Sequence, residues 1–221
     1  MDFQMSNEVG ISRVHFPITA LGPGRRIGIW FQGCSIRCEG CMSRDTWAEA
    51  RRREVVSELL DRVQPWLEEA DGITISGGEP FEQPEALMEL LEGLRIAADT
   101  SVIAYSGFSL EQLMERHSSI HELIDLLISE PFDSTKAVSA PLFGSANQRA
   151  TCLTKRGAEI WQMAEAAWRD RGGRLDLIAE ADGLIWVAGV PGPGDLERLG
   201  TRLRSAGITP LTSAGRLGVS T

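Results

Sequence analysis

The sequence is poor in the residues that build metal and disulfide frameworks: 221 residues hold only 4 Cys and 3 His. No His lies between Cys34 and Trp47, and His15 stands alone, so a zinc site that closes four positions with Cys and His finds no fourth ligand here. Long apolar runs are also missing. None approaches the roughly 20 residues that cross a bilayer, and no membrane partner is expected. Met1-Asp2-Phe3-Gln4 shows no basic stretch leading into an apolar one, so the expected setting is cytoplasmic, with thiols reduced rather than paired. Lys and Arg number 22 against 31 Asp and Glu, a net charge of -9. A nucleic-acid partner is not expected, because backbone binding needs clustered cations to displace counterions. The one dense basic run, Arg51-Arg52-Arg53, reads as a solvated helix face. Internal repeats and long low-complexity linkers are absent too.

What is present is a set of three cysteines, Cys34, Cys38 and Cys41, spaced C-x3-C-x2-C. Three thiolates hold three irons of a 4Fe-4S cube and leave one iron open, whereas electron-transfer clusters and structural zinc sites usually close every position. An open iron points to chemistry. A noncatalytic iron-sulfur electron carrier or sensor is the alternative of another class. Cys152, far from the triad, is expected to be a buried apolar thiol.

Short β-prone runs recur at Ile27–Phe31, Ile73–Ser76, Val102–Tyr105 and Leu123–Ile128, with helical patterns between them. Val55, Val56, Leu59, Leu60, Val63 and Leu67 share one helix face, with Pro65 expected to end or kink that helix. Pro84 stands at a first-turn position ahead of Leu87, Leu90, Leu91 and Leu94. Ser109 and Gln112 form a capping box. The alternation predicts parallel βα units, in which ligands gather at the carboxyl ends of the strands. The Cys loop, Ser76-Gly77-Gly78 and Ser106-Gly107 all follow strands and are expected on one rim. Among the tryptophans, Trp47 behind the Cys loop is a candidate shield for a cluster. Trp66, Trp161, Trp168 and Trp186 read mostly as core.

Gly77-Gly78-Glu79-Pro80 follows the second run, where glycines let backbone groups approach a ligand and free carbonyls accept from an ammonium group. C-x3-C-x2-C after one strand and GGEP after the next together resemble the radical S-adenosylmethionine superfamily. Within it, Gly22-Pro23-Gly24-Arg25-Arg26, Gly40, Thr46-Trp47, Ala104-Tyr105-Ser106-Gly107-Phe108, Pro131-Phe132 and Gly144-Ser145-Ala146-Asn147-Gln148-Arg149 resemble the anaerobic ribonucleoside-triphosphate reductase activating proteins. Met42 departs from the aromatic usual there, and Ser129-Glu130 from Asp-Gly.

The resemblance implies a 4Fe-4S cluster on Cys34, Cys38 and Cys41, with S-adenosyl-L-methionine on the open iron. It implies Gly40, Met42, Gly77, Gly78, Glu79, Pro80 and Ser106 as cofactor-binding residues. It further implies reductive cleavage to a 5'-deoxyadenosyl radical, hydrogen abstraction from a glycyl-radical enzyme or, alternatively, from another protein, peptide or small-molecule substrate, and an electron donor such as flavodoxin or ferredoxin. The fold implied is an incomplete (β/α) radical SAM barrel over residues 10–151.

Residues 152–211 read as an appended small α/β extension, with a helix around Arg156–Arg169, a hairpin at Asp182-Gly183 and a last helix from Asp195. Residues 212–221 are expected to be a disordered tail.

Overall fold

The computed structural model describes residues 6–117, 119–172, 174–179, 184–208, 211–212 and 215–216. A short strand β1 (Glu8–Val9) precedes β2 (Ile11–Ile18) and β3 (Arg26–Phe31), and β4 (Glu54–Val55) pairs back antiparallel onto β1. Then follow α1 (Val56–Leu67), β5 (Gly72–Gly77), α2 (Pro84–Ala97), β6 (Ser101–Tyr105), α3 (Leu110–Arg116), α4 (Ile120–Leu123), β7 (Leu126–Ser129) and β8 (Arg149–Cys152). The chain continues through α5 (Lys155–Arg171), β9 (Leu175–Ala179), β10 (Ile185–Gly189) and α6 (Asp195–Ser205) to β11 (Leu211–Thr212) and β12 (Gly215–Arg216).

One mixed sheet organises the molecule, in the order β2-β3-β5-β6-β7-β8. Its four central strands run parallel, and an antiparallel strand closes each edge. The parallel strands are apolar because both faces are covered. Ile27, Ile29 and Phe31, with Ile73, Ile75, Val102, Ala104 and Leu127, turn toward α1 and α2, whose Leu59, Val63, Leu87 and Leu91 complete one core. Period-2 alternation sends Ile103, Leu126 and Ile128 to the other face, where Ile160 and Ala164 of α5 cover them. Trp30 joins Ile18, Leu21 and Ala188 of β10 on that face.

At the amino ends of the parallel strands Arg26 is 1% exposed. Its guanidinium donates to Thr74 Oγ1 at 2.8 Å, Ser101 Oγ at 3.0 Å, and the carbonyls of Ile73 and Ser101 at 2.6 and 3.1 Å. Burial lowers its pKa to about 10, so it stays charged at neutral pH. It plugs the end of the sheet opposite the cysteines.

Several expectations change. Leu123–Asp125 is not strand: α4 ends at Leu123 and β7 begins at Leu126. Between them the Asp125 carboxylate accepts from Val102 N, Arg95 Nη2 and Thr154 Oγ1, so that the side chain takes the Val102 amide while Asp125 N donates to Val102 O. Helix α1 runs two residues past Pro65. Arg51, Arg52 and Arg53 are exposed but sit in the loop before β4 rather than on a helix. Cys152 is exposed, not buried, because it ends the edge strand β8.

Trp66, Trp161, Trp168 and Trp186 are half-buried, Trp66 and Trp161 packing against the cores on the two faces of the sheet. Trp66 stacks on Phe16 and Trp161 on Phe143, with centroids 6.0 and 6.1 Å apart. The capping box forms as expected, Ser109 Oγ accepting from Gln112 N and Gln112 Oε1 from Ser109 N. Asp182-Gly183 lies outside the described residues, but β9 and β10 on either side of it pair antiparallel. Of the expected tail, Thr212 pairs with Gly215, and Ser213, Ala214 and residues 217–221 lie outside the described residues.

Candidate active site

The loop after β3 carries the three cysteines through tight backbone turns. Gly33, Arg37 and Gly40 take φ values of 111°, 50° and 76°, and at Gly40 a Cβ would stand 3.3 Å from Phe132. Gly33 N and Cys34 N donate to the carbonyls of Thr46 and Trp47, closing the loop on the turn that bears Trp47. Glu82 accepts from the amide and hydroxyl of Ser35 and pins the loop's other side. Cys34, Cys38 and Cys41 are unbridged and half-buried. Burial pushes the thiols of Cys34 and Cys38 up, against backbone N–H groups that reach Cys34 from Ile36 and Arg37 and Cys38 from Phe132.

The Gly-Gly turn after β5 is packed against the stem of that loop. Gly77 has φ 110°, and a Cβ there would meet the Phe31 backbone at 2.4 Å. A Cβ on Gly78 would stand 2.0 Å from Gly33 O. The two glycines therefore permit a close backbone crossing, sealed by Gly78 N to Phe31 O and Glu79 N to Gly33 O, both 2.8 Å. Glu79 then ties this turn to the next strand end. Its carboxylate accepts from Phe81 N at 3.1 Å, Ser106 Oγ at 2.9 Å and Gly107 N at 2.7 Å. The group is 1% exposed, and burial outweighs those three donors, raising its pKa to about 7.

These three strand ends share one pocket of about 250 Å³. Cys34, Cys38, Cys41, Gly40 and Met42 line it together with Ser76, Gly77, Gly78, Glu79, Ser106 and Gly107; Pro80, in the turn behind Glu79, does not. Trp47 lines it too, with Nε1 buried and unpartnered among the described residues. Tyr105 Oη is likewise buried in this wall without a partner, and burial pushes the phenol up. The charged residues of the wall besides the thiols are Glu79 and Glu130, and no Lys, Arg or His lines it among the described residues.

Phe132, Gly144 and Gln148, which stand in motifs that carry the resemblance, reach the pocket from the β7–β8 connection together with Phe143, Gln148 Oε1 accepting from Gly144 N at 2.9 Å. Sequence reasoning missed one contributor: Val187–Pro191 and Leu196, from the segment beyond α5, also form wall. No local motif marks that segment, since it arrives by long-range packing.

Three half-buried thiols on one pocket, with no fourth thiol or imidazole among the described residues of its wall, fit a cube ligated at three of its irons. With no Lys, Arg or His among the described residues of its wall, the pocket presents nothing that repels a cationic ligand such as a sulfonium. No helix among the described residues is long and apolar enough to cross a membrane.

The sequence model of the 4Fe-4S single cluster domain family matches residues 20–151. A pyruvate formate-lyase-activating enzyme of Clostridium pasteurianum is 37% identical over 97 residues, 39% of this chain and 41% of that protein. One of Listeria monocytogenes is 30% identical over 118 residues, 50% of this chain and 48% of that protein. The anaerobic ribonucleoside-triphosphate reductase-activating protein of Vibrio cholerae is 26% identical over 143 residues, 61% of this chain and 92% of that protein. The match thus spans half or less of the two lyase-activating relatives and nearly all of the reductase-activating one. The family match covers more than half of the sequence and includes the cysteine loop, and the chain belongs to the 4Fe-4S single cluster domain family.

Proposed function

We propose that this protein is a radical S-adenosylmethionine activase that generates a glycyl radical on a partner enzyme, with anaerobic ribonucleotide reductase as the first candidate. The observation that carries the reading is the junction of Cys34, Cys38 and Cys41 with the Gly77-Gly78-Glu79 turn and Ser106-Gly107 on one small pocket. In this reading the three cysteines hold a 4Fe-4S cluster. When bound and reduced, that cluster supplies the electron that splits S-adenosylmethionine into methionine and a 5'-deoxyadenosyl radical able to take a hydrogen atom from the substrate.

The chain's own groups orient and enclose. Free backbone groups of the Gly77-Gly78 turn offer acceptors to the ligand's ammonium, and Glu79 holds that turn against Ser106 and Gly107. Trp30, Met42, Trp47 and Phe132 keep water from the pocket. The open sheet serves as the incomplete (β/α) barrel of the superfamily, with residues 152–211 as its appended α/β extension. The electron donor is a small carrier of the flavodoxin or ferredoxin kind, and the setting is cytoplasmic.

The decisive experiment is anaerobic reconstitution, reduction with dithionite, addition of S-adenosylmethionine and assay for 5'-deoxyadenosine. Product is expected from wild type. Cys38→Ala is expected to lose both iron and turnover. A fully loaded wild-type cluster that yields no 5'-deoxyadenosine refutes the catalytic reading, and unchanged iron in the variant refutes the ligand assignment.

A further inference from the structure

The β9–β10 hairpin is fastened on one side and open on the other. Cross-strand pairing puts Asp176, Ile178, Trp186 and Ala188 on one side and Leu175, Leu177, Ile185 and Val187 on the opposite side. On the first side the Asp176 carboxylate accepts from Thr19 N at 2.6 Å, Thr19 Oγ1 at 2.8 Å and Ala20 N at 2.8 Å. Trp186 lies under the Arg13 guanidinium, 4.2 Å from the ring centroid, and Ala188 packs with Ile18 and Trp30. These contacts fix where the hairpin sits.

The second side needs another explanation. Leu177 and Ile185 are 55% and 49% exposed, on a ribbon whose solvent side would ordinarily be polar. The second strand of the hairpin leads into the active-site pocket, where Val187, Ala188 and Gly189 form wall with Val190, Pro191 and Leu196. Exposed Ile185 and the pocket wall therefore lie on one strand, two residues apart. The pocket opens beside this surface, so on the activase reading the hydrogen donor is the tip of a polypeptide whose bulk rests outside. With no Lys, Arg or His among the described residues of its wall, the pocket favours peptide backbone and small side chains over carboxylates and phosphates.

We propose that the outer side of this hairpin, Leu175, Leu177, Ile185 and Val187, is the docking surface for the polypeptide substrate, whose glycine-bearing segment passes over Val187 and Gly189 into the pocket. The proposal rests on the activase reading and adds to it the surface by which the glycyl-radical partner is held. The family match ends at residue 151, so this surface comes from a part of the chain outside the matched cluster domain.

The test uses the cluster-loaded full chain and, as probe, the glycyl-radical subunit of an anaerobic ribonucleotide reductase, under anaerobic conditions. A double variant, Leu177→Asp with Ile185→Asp, alters two residues that do not line the pocket. It is expected to bind the subunit at least about tenfold more weakly, as for loss of a central apolar anchor. Its 5'-deoxyadenosine formation with dithionite, without the subunit, should equal that of wild type. Equal affinity of the two proteins, or no affinity in wild type, overturns the docking proposal. Absence of 5'-deoxyadenosine from wild type instead overturns the underlying reading. Independently of any variant, adding the subunit to wild type should slow amide exchange at residues 175–179 and 185–189. Unchanged exchange there overturns the proposal even if the variant misfolds.

Discussion

Glu79 is the residue whose titration the structure perturbs most usefully. Its pKa stands near 7 in the folded chain against 4.5 for an ordinary glutamate, so the native state keeps a proton that the unfolded chain gives up. Stability from this group is complete below pH 4.5 and is lost as pH rises through about 7. The shift corresponds to about 3 kcal/mol. Glu79→Gln removes the titration but keeps the shape. In urea unfolding at pH 5 and pH 8, the variant is expected to gain on wild type by about that amount at the higher pH. A pH-independent difference would show that Glu79 is not the group at work. Gly78 allows a second test at this scale. A methyl group there meets a backbone carbonyl at 2.0 Å, which no side-chain rotation relieves. Gly78→Ala is expected to cost about 3 kcal/mol in unfolding free energy and to lower cluster retention, because the carbonyl it displaces, Gly33 O, belongs to the cysteine loop.

Among the elements, the β9–β10 hairpin takes its hydrogen-bonded anchor from one carboxylate, beside the packing of Trp186 and Ala188. Asp176 satisfies two backbone amides and a hydroxyl of the β2–β3 connection, and its loss leaves those amides in a half-buried seam. Asp176→Ala is expected to cost about 1–3 kcal/mol and to speed amide exchange across residues 185–189. Exchange that stays at the wild-type rate would mean that Trp186 on Arg13 holds the hairpin by itself. The contrast with the parallel strands shows what the sequence makes legible. β3, β5 and β6 appear as apolar runs because helices cover one face and packed chain the other, and Ser109 with Gln112 announces α3 through purely local bonds. β2 does not appear, since Arg13 and His15 interrupt its pattern and its order comes from pairing with β3. Asp125 hides the end of α4 for a similar reason, its partners lying on β6, α2 and the start of α5. The cysteines and the Gly-Gly turn could be read from spacing. Val187–Pro191 could not, because nothing in their own composition says that they border a pocket assembled far away in the chain.

At the scale of the whole molecule, that pocket joins segments from Leu21 to Leu196. The far wall needs the chain beyond the family match, since α5 covers Ile103, Leu126 and Ile128 and Ala188 packs on Trp30. A ligand held there therefore couples to the global unfolding equilibrium rather than to one loop. At a concentration 100 times its dissociation constant, S-adenosylmethionine should stabilise the cluster-loaded protein by about 2.7 kcal/mol, as mass action requires of any ligand that binds only the folded state. For a chain of this length that corresponds to a rise in melting temperature of about 5–10 °C. Anaerobic calorimetry with and without the ligand measures it, and Cys38→Ala supplies the control. If the open iron anchors the ligand, the variant should show little or no rise. An equal rise in both proteins would mean that the Gly-Gly turn and the apolar walls bind the nucleoside by themselves, and that the three-cysteine site contributes chemistry but not affinity.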